Sequence, residues 1–385
     1  MIPYGRQDIS EKDIQCVVDV LNSDFLTQGP QVPAFEKKVK DFTSSKYALA
    51  MNSATSALHV ACLALDVGPG DYVWTSPITF VASSNAALYC GARVDFVDID
   101  SKTYNLCHQK LEQKLIDAEK TGTLPKVVIP VHLAGQSCNM DKIFHLSQKY
   151  GFKIIEDASH AIGGKYQSNP VGSCRYSDIT IFSFHPVKII TTAEGGMALT
   201  NCEALASKME LLRSHGITRN ENLMKNKSHG PWYYEQIDLG YNYRMTELQA
   251  ALGASQINRL EEFVGARHKV ADFYNENLKG LPLILPYQDN DNYSAYHLYV
   301  IRLKLGEIKS SHLDIFNKLK EKGIGVNLHY IPVYLQPYYE QMGFKQGYCE
   351  QAEKYYAEAI SIPMYSQISE AQMRTVMTAI RSLLI

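Results

Sequence analysis

Short apolar stretches alternate with amphipathic stretches over the first two-thirds of the chain, and this alternation constrains the fold most strongly. Seven stretches have the length and composition of buried strands: Tyr47–Met51, Tyr72–Thr75, Arg93–Val97, Val127–His132, Lys153–Glu156, Asp178–Phe184 and Met197–Thr200. Between them, apolar residues recur at helical spacing, as in Ala54–Leu65, Thr79–Tyr89, Leu106–Ala118 and Met140–Tyr150. This alternation predicts an α/β fold with a mostly parallel central sheet and helices on both faces.

The last third of the chain has a different pattern. A long helix is predicted over Thr246–Leu278, and Gly280-Leu281-Pro282 ends it. Strands are then predicted at His297–Leu303 and near Gly325–His329, with helices at Ser311–Lys322, Cys349–Ala359 and Ser369–Leu383. We therefore expect a large domain of residues 1–276, which includes the long helix, and a smaller C-terminal α+β domain of residues 277–385.

Charge and cysteine content exclude several classes of protein. The chain of 385 residues has a formal net charge of -2, which predicts binding neither to nucleic acid nor to an anionic membrane. No apolar run reaches the length of a membrane span, and the first residues lack the charged-then-apolar order of a signal peptide. The 8 cysteines include no C-x-x-C pair, which predicts reduced thiols, no metal site and a cytoplasmic protein.

Two residues that follow predicted strands have the chemistry of a cofactor site. Lys188 follows the strand that ends at Phe184, and Asp157 follows the strand that ends at Glu156. The carboxyl ends of parallel strands meet at one edge of a sheet, where ligands bind in such folds. A lysine amine can form a Schiff base with an aldehyde, and a carboxylate can hold a pyridine nitrogen protonated. The pair predicts a site for pyridoxal phosphate (PLP), although most lysines are solvated surface residues.

Other residues near predicted strand ends leave two interpretations open. The hydroxyls of Thr55 and Ser56 open a predicted helix, so they either cap that helix or bind a phosphate. Phe80 either lies on a cofactor ring or belongs to the core. Asn242, just before the predicted long helix, has the position of a turn residue or a helix cap. No G-x-G-x-x-G follows an early strand, so a nicotinamide enzyme is poorly supported.

Taken in order, these segments resemble the sugar aminotransferases of the DegT/StrS family, which have the fold type I architecture of PLP-dependent transferases. The resemblance extends over nearly the whole chain, through residues 26–30, 53–58 and 79–83, Glu156-Asp157, Lys188, Glu194-Gly195-Gly196 and His329-Tyr330. It implies that Lys188 is the catalytic residue and forms the Schiff base with PLP. It also implies that Asp157 pairs with the pyridine nitrogen, that His160 hydrogen-bonds near the phenolic oxygen, and that Phe80 stacks on the ring.

The resemblance also implies how the phosphate and the substrate are held. The phosphate would be bound by the hydroxyls of Thr55, Ser56 and Ser183. Asn242 would reach it from the other subunit, which implies a homodimer with shared active sites. Three residues are expected to line the substrate site, with fewer motifs to support them: His329, Tyr330 and Arg244. Ala54 stands where the family usually has Gly.

Further stretches narrow the resemblance to the pseudaminic acid branch of the family: residues 26–29, 52–58, 159–161, 183–185, 190–196 and 213–216. That branch implies transfer of the amino group of L-glutamate to C4 of UDP-4-keto-6-deoxy-L-AltNAc. The alternatives are an aminotransferase for another UDP- or dTDP-linked 3- or 4-keto-6-deoxy sugar, a PLP-dependent sugar dehydratase, and a non-catalytic regulatory protein. The family's dehydratases have His at the position of Lys188, and a regulatory protein would be expected to lose Lys188 or Asp157.

Overall fold

The computed structural model describes residues 1–385, and its regular elements are as follows. The α-helices are α1 (Glu11–Leu21), α2 (Gln31–Thr43), α3 (Ala54–Ala64), α4 (Ala82–Tyr89), α5 (His108–Thr121), α6 (Met140–Tyr150), α7 (Glu203–Arg213), α8 (Glu247–Gln256), α9 (Leu260–Asn277), α10 (His312–Glu321), α11 (Pro337–Glu340), α12 (Glu350–Glu358) and α13 (Glu370–Leu384). The strands are β1 (Tyr47–Met51), β2 (Tyr72–Thr75), β3 (Arg93–Phe96), β4 (Val127–Ile129), β5 (Lys153–Asp157), β6 (Lys165–Tyr166), β7 (Asn169–Pro170), β8 (Ile179–Ser183), β9 (Gly196–Thr200), β10 (Ile217–Thr218), β11 (Glu235–Gln236), β12 (Leu283–Ile284), β13 (Asn292–Tyr293), β14 (Tyr299–Leu303) and β15 (Ala359–Ile362).

Seven strands form the central sheet in the order β1-β9-β8-β5-β4-β2-β3. The pairs from β8 through β3 are all parallel, whereas β9 is antiparallel to both β1 and β8. Six strands therefore run in one direction and β9 alone is reversed. Every residue of β8 and β9 is buried, which explains their continuous apolar sequences. The predicted α/β fold with a mostly parallel sheet is confirmed.

The direction of the strands brings several loops to one edge of this sheet. At that edge β1 leads into α3, β2 leads toward α4, β5 ends at Asp157 and β8 ends at Ser183. Because β9 is reversed, its first residue Gly196 lies at the same edge, where it pairs with Met51 on one side and Ser183 on the other. The edge is therefore built from chain segments that are far apart in sequence.

The C-terminal region has its own small sheet, in the order β12-β14-β15, and its own core. One cluster of 22 buried residues lies entirely between Val270 and Ile380. Arg267 in α9 is buried and donates to the carbonyl oxygens of Tyr296, His297 and Met364. These hydrogen bonds connect α9 to the segments next to β14 and β15. The largest core cluster combines central-sheet residues with C-terminal ones such as Tyr334. The domain boundary after residue 276 stays a prediction.

Two predicted elements differ from the structure. The helix predicted over Thr246–Leu278 begins correctly after the Thr246 capping box but is interrupted by a 3-10 turn at Ile257–Arg259. There the guanidinium of Arg259 bonds Asp8 and Asp13, a tertiary contact that apolar spacing cannot reveal. The strand predicted near Gly325–His329 is reduced to a single bridge between Asn327 and Ser361. None of the helices combines the length and the apolar composition needed to cross a bilayer.

Candidate active site

A cavity of about 550 Å³ opens at the carboxyl edge of the central sheet. Eight of the residues singled out in the sequence line it: Thr55, Phe80, Asp157, His160, Ser183, Lys188, His329 and Tyr330. The parallel strands supply the first six through their carboxyl ends and the loops that follow. The segment between α10 and α11 supplies the other two. A cavity of this size with converging polar groups suits a small-molecule ligand.

Lys188 lies in the loop after β8, where its backbone N–H donates to the carbonyl of His185 at 2.9 Å. Its side chain is half-buried against the cavity wall. Burial disfavours the ammonium form and lowers the pKa of Lys188 to about 8, although the negative charge of Asp157 acts in the opposite direction. Roughly a tenth of the amine is therefore neutral at pH 7, far more than for an ordinary lysine, and the neutral amine is the form that acts as a nucleophile or base.

Asp157 is the last residue of β5 and is buried beside the cavity. The Ser83 hydroxyl donates to its Oδ2 at 2.6 Å, and the Ser159 N–H donates to its Oδ1 at 3.1 Å. The backbone is fixed as well, because the His132 N–H donates to the Asp157 carbonyl at 3.0 Å. These contacts hold an acceptor-only carboxylate in one orientation at the base of the cavity.

The start of α3 forms another wall of the cavity. Ser53 caps this helix by accepting from the Ser56 N–H, and Thr55 in the first turn lines the cavity. The Ser56 hydroxyl instead donates to the Asn52 side chain at 2.7 Å, and Ser56 does not line the cavity. Gly196 packs directly on this turn, since a Cβ added to it would lie 2.5 Å from the Ser53 carbonyl carbon. The positive end of the α3 dipole therefore faces the cavity, which favours an anion there.

His160 and Tyr330 form a hydrogen-bonded pair over Asp157. The Ala134 N–H donates to His160 Nδ1 at 3.2 Å, so the proton of the neutral ring lies on Nε2, 3.3 Å from the Tyr330 hydroxyl. Phe80 lies 6.3 Å from Tyr330 between ring centroids. Phe80 is 61% exposed and is therefore not a core residue. Its ring is available to stack on a ligand in the cavity.

Three buried histidines surround the amine of Lys188. Burial lowers the pKa of His160 and of His297 well below the usual range, and the positive charge of Lys188 acts in the same direction. The same two causes lower the pKa of His329 to about 4. The ring centroids of His160 and His297 are 4.4 Å apart, and the buried Nδ1 of His297 has no hydrogen-bond partner. Burial and the charge of Lys188 therefore keep all three rings in the neutral form near pH 7.

Besides Ser56, two residues singled out in the sequence lie outside this cavity. Asn242 forms an isolated bridge with Ser214, and its carbonyl is 3.5 Å from the side-chain amide of Asn52. The backbone of Arg244 forms an isolated β-bridge with Met51, and its guanidinium donates to the Ser214 hydroxyl at 3.1 Å. Their segment packs behind the start of α3, so within one subunit neither side chain contributes to the cavity wall.

The cavity also includes residues that sequence reasoning missed. Tyr4 and His297 line it, and Ser83 supports Asp157. Ser83 sits in a run of small residues typical of any buried helix face, and His297 sits at the start of a predicted strand. Neither position carries a sequence signal of function. Tyr4 belongs to the N-terminal segment, which is held near the site because the Tyr4 carbonyl accepts a hydrogen bond from the Met364 N–H.

Comparisons with known proteins agree with this geometry. The family model described as the DegT/DnrJ/EryC1/StrS aminotransferase family matches residues 7–381. The UDP-4-amino-4,6-dideoxy-N-acetyl-beta-L-altrosamine transaminase of Campylobacter jejuni is 36% identical, over 100% of this chain and 98% of the relative.

Two solved structures are similar along the whole chain. Helicobacter pylori PseC, an aminotransferase involved in the biosynthesis of pseudoaminic acid, superposes with a TM-score of 0.91 at 30% identity, covering 100% of this chain and 99% of PseC. The PLP form of Spr1654 from Streptococcus pneumoniae superposes with a TM-score of 0.87 at 29% identity, covering 100% of both chains. The chain therefore belongs to the DegT/DnrJ/EryC1/StrS aminotransferase family of PLP-dependent enzymes.

Proposed function

We propose that this protein transfers the amino group of L-glutamate to C4 of a UDP-linked 4-keto-6-deoxy sugar, UDP-4-keto-6-deoxy-L-AltNAc, with PLP as cofactor. The observation that carries the proposal is the placement of Lys188 and Asp157 in one cavity at the carboxyl edge of the sheet. The choice of sugar is supported by the names of the Campylobacter jejuni and Helicobacter pylori relatives.

The residues of the cavity fit PLP. The amine of Lys188 suits the aldehyde carbon, and the carboxylate of Asp157 suits the ring nitrogen. The start of α3 with Thr55, together with Ser183, suits the phosphate, because helix N-termini bind anions. The Nε2–H of His160 would bond the phenolic oxygen in place of its contact with the Tyr330 hydroxyl, and Phe80 would lie on the ring face. Ser56 would contribute through the capped helix start rather than through its hydroxyl.

Each of these residues has a defined chemical task. When bound, PLP supplies a carbon that carries the amino group and a ring that withdraws electrons. With PLP bound, Lys188 would act as the base at the glutamate Cα, since burial lowers its pKa to about 8. Asp157 stabilises positive charge at the ring nitrogen in a site with little water. Tyr330 and His329 would line the part of the cavity that takes the keto sugar, where Lys188 would return the proton to the sugar C4.

The proposed enzyme is a homodimer in which Asn242 serves the neighbouring subunit. Asn242 lies outside the cavity of its own chain, so it can reach a phosphate only across an interface. The segments beside it expose large apolar side chains: Leu239 is 74% exposed, and Leu26, whose carbonyl accepts from the Glu247 N–H, is 50% exposed. Apolar exposure of this kind favours burial against a second copy of the chain. Arg244 would line the shared site from the same segment.

Visible absorbance of the PLP-loaded protein tests the reaction. Addition of L-glutamate is expected to remove the band of the lysine-bound cofactor, and UDP-4-keto-6-deoxy-L-AltNAc is expected to restore it. Restoration by another UDP- or dTDP-linked keto sugar alone would keep the aminotransferase and reject this substrate. A protein that shows no band at saturating PLP would reject the whole proposal. L-aspartate in place of L-glutamate is the control for the donor.

Mixing two inactive variants tests the shared site. Lys188→Ala and Asn242→Ala dimers are prepared separately, unfolded together and refolded. If the sites are shared, one site of each mixed dimer is intact, and about a quarter of wild-type activity is expected from random pairing. No recovery would mean that both residues serve the same subunit. Refolding each variant alone is the control.

A further inference from the structure

Asp157 is linked to a chain of two buried hydroxyls that the chemistry above does not use. The Ser83 hydroxyl lies 2.6 Å from Asp157 Oδ2, and the Thr79 hydroxyl lies 2.7 Å from the Ser83 hydroxyl. Thr79 is 3% exposed, Ser83 is 0% exposed and Asp157 is 5% exposed, so all three residues are buried. Both hydroxyls are held by the loop and helix between β2 and the end of α4.

The direction of the hydrogen bonds in this chain follows from the carboxylate. An ionised carboxylate can only accept, so Ser83 donates its single proton to Asp157. The Ser83 oxygen can then accept from Thr79, which makes it a stronger donor, because hydrogen bonds in a series polarise one another. Ser83 is the one side chain that donates to Asp157, and the other donor is the Ser159 backbone N–H.

We propose that Ser83 is a positioning residue whose hydrogen bond fixes the Asp157 carboxylate, so that the proton Asp157 shares with the cofactor's ring nitrogen stays on the ring. The inference rests on the proposed function, since it requires PLP in the cavity. Burial alone disfavours the charged carboxylate, whereas hydrogen bonds to the charged form favour it. By drawing negative charge from Asp157, Ser83 makes the carboxylate the weaker base of the two groups that share the proton.

Loss of the Ser83 hydroxyl therefore has a specific consequence. In Ser83→Ala the buried Oδ2 of Asp157 loses its donor, and the carboxylate regains basicity. The shared proton then moves from the ring nitrogen toward the carboxylate, and the ring withdraws electrons less strongly. Thr79→Val removes only the outer hydroxyl and should cause a smaller shift in the same direction.

The ¹⁵N NMR signal of PLP labelled at the ring nitrogen measures this proton directly, without turnover. In the wild-type holoenzyme we expect the shift of a protonated pyridine, and in Ser83→Ala a shift toward a neutral pyridine. Ser83→Thr restores the hydroxyl and should restore the signal. Ser84→Ala is the matched control, because Ser84 is equally buried in α4 but bonds the Tyr339 hydroxyl at 2.6 Å instead.

The outcomes separate this inference from the proposed function. If the wild-type protein binds no labelled PLP, the proposed function fails. If it binds PLP and Ser83→Ala leaves the signal unchanged, or Ser84→Ala moves it equally, the role of Ser83 is overturned. A neutral ring nitrogen in the wild-type holoenzyme also overturns it. If Ser83→Ala does not fold, Thr79→Val decides the matter, and an unchanged signal there rejects the hydroxyl chain.

Discussion

Two adjacent carboxylates on β5, Glu156 and Asp157, have the same burial and opposite surroundings. Each is 5% exposed. Glu156 lies between His132, whose Nε2 is 2.7 Å away, and the hydroxyls of Ser177 and Thr180. Asp157 has two donors from its own chain and otherwise faces the cavity.

The difference shows how a structural carboxylate can be told from one that serves a ligand. Burial acts to raise the pKa of Glu156, but hydrogen bonds from His132, Ser177 and Thr180 outweigh it and hold the pKa below its usual value. His132 is satisfied as well, since its Nδ1 accepts from the Cys138 N–H at 3.2 Å. Both carboxylate oxygens of Glu156 therefore have hydrogen-bond donors from the chain itself. The cavity side of β5 leaves polar groups, such as His297 Nδ1, without partners.

The largest effect on the cavity side is expected from Lys188→Ala. Without the amine there is neither a covalent attachment nor a base, and turnover should fall by at least about 10³-fold. Formation of 2-oxoglutarate from L-glutamate with the keto sugar measures it. Lys153→Ala is the control, because Lys153 pairs with Asp178 away from the cavity. Retained turnover in Lys188→Ala would contradict the mechanism.

Asp157→Asn should have the next largest effect. The amide keeps the shape of the side chain but removes the charge opposite the ring nitrogen, so turnover should fall by about 10²-fold or more. Thermal stability should change little, because the amide oxygen can accept from the Ser159 N–H while the amide NH2, in the place of Oδ2, donates to the Ser83 hydroxyl. Turnover equal to that of the wild type would show that Asp157 resembles Glu156 in being structural.

Glu156→Gln should give the opposite result. Turnover per folded molecule should stay close to that of the wild type, while the free energy of unfolding falls by about 1–3 kcal/mol, since one buried donor is left unsatisfied. The effect should depend on pH. Because the folded pKa of Glu156 is below the unfolded one, its stabilisation is present above about pH 4.5 and is lost as the pH falls below that value. Urea unfolding at pH 7 and pH 3.5 checks this, and the variant should lose less stability on acidification.

The smallest effect is expected on the titration of Lys188 itself. The charge of Asp157 raises the pKa of Lys188 against the effect of burial, so the Asp157→Asn variant should titrate below pH 8. Reductive methylation of the PLP-free protein at a series of pH values, quantified at the Lys188 peptide by mass spectrometry, gives the midpoint. The exposed Lys279 serves as an internal standard. A midpoint that does not move, or moves upward, would contradict the arrangement of charges.

Apolar periodicity located the seven strands of the central sheet but not their pairing, and the strand that it predicted near Gly325–His329 is only a single bridge. β1 and β2 occupy the predicted residues, and β8 differs by one residue at each end. The reversal of β9 could not be predicted, because apolar content does not carry strand direction. The helices α1, α2 and α7 were not anticipated. Their apolar faces are narrow, and the partners that cover them come from distant parts of the chain.

The candidate site was predictable where a residue has distinctive chemistry. Lys188 and Asp157 could be predicted because charged side chains directly after buried strands are seldom found without a partner or a ligand. Ser83 could not be chosen, since a small hydroxyl on a buried helix face is indistinguishable from a packing residue. The hydrogen bond from Ser83 to Asp157 is apparent only in the folded structure, where α4 lies beside β5. His297 is hidden in the same way by its position before a strand.

The close packing of Gly196 on the start of α3 determines where this site can vary. A side chain at position 196 would enter the backbone of Ser53 and Ala54, whereas the side chain of Ala54 is accommodated. A randomised library at position 196 should therefore return glycine alone among its folded variants.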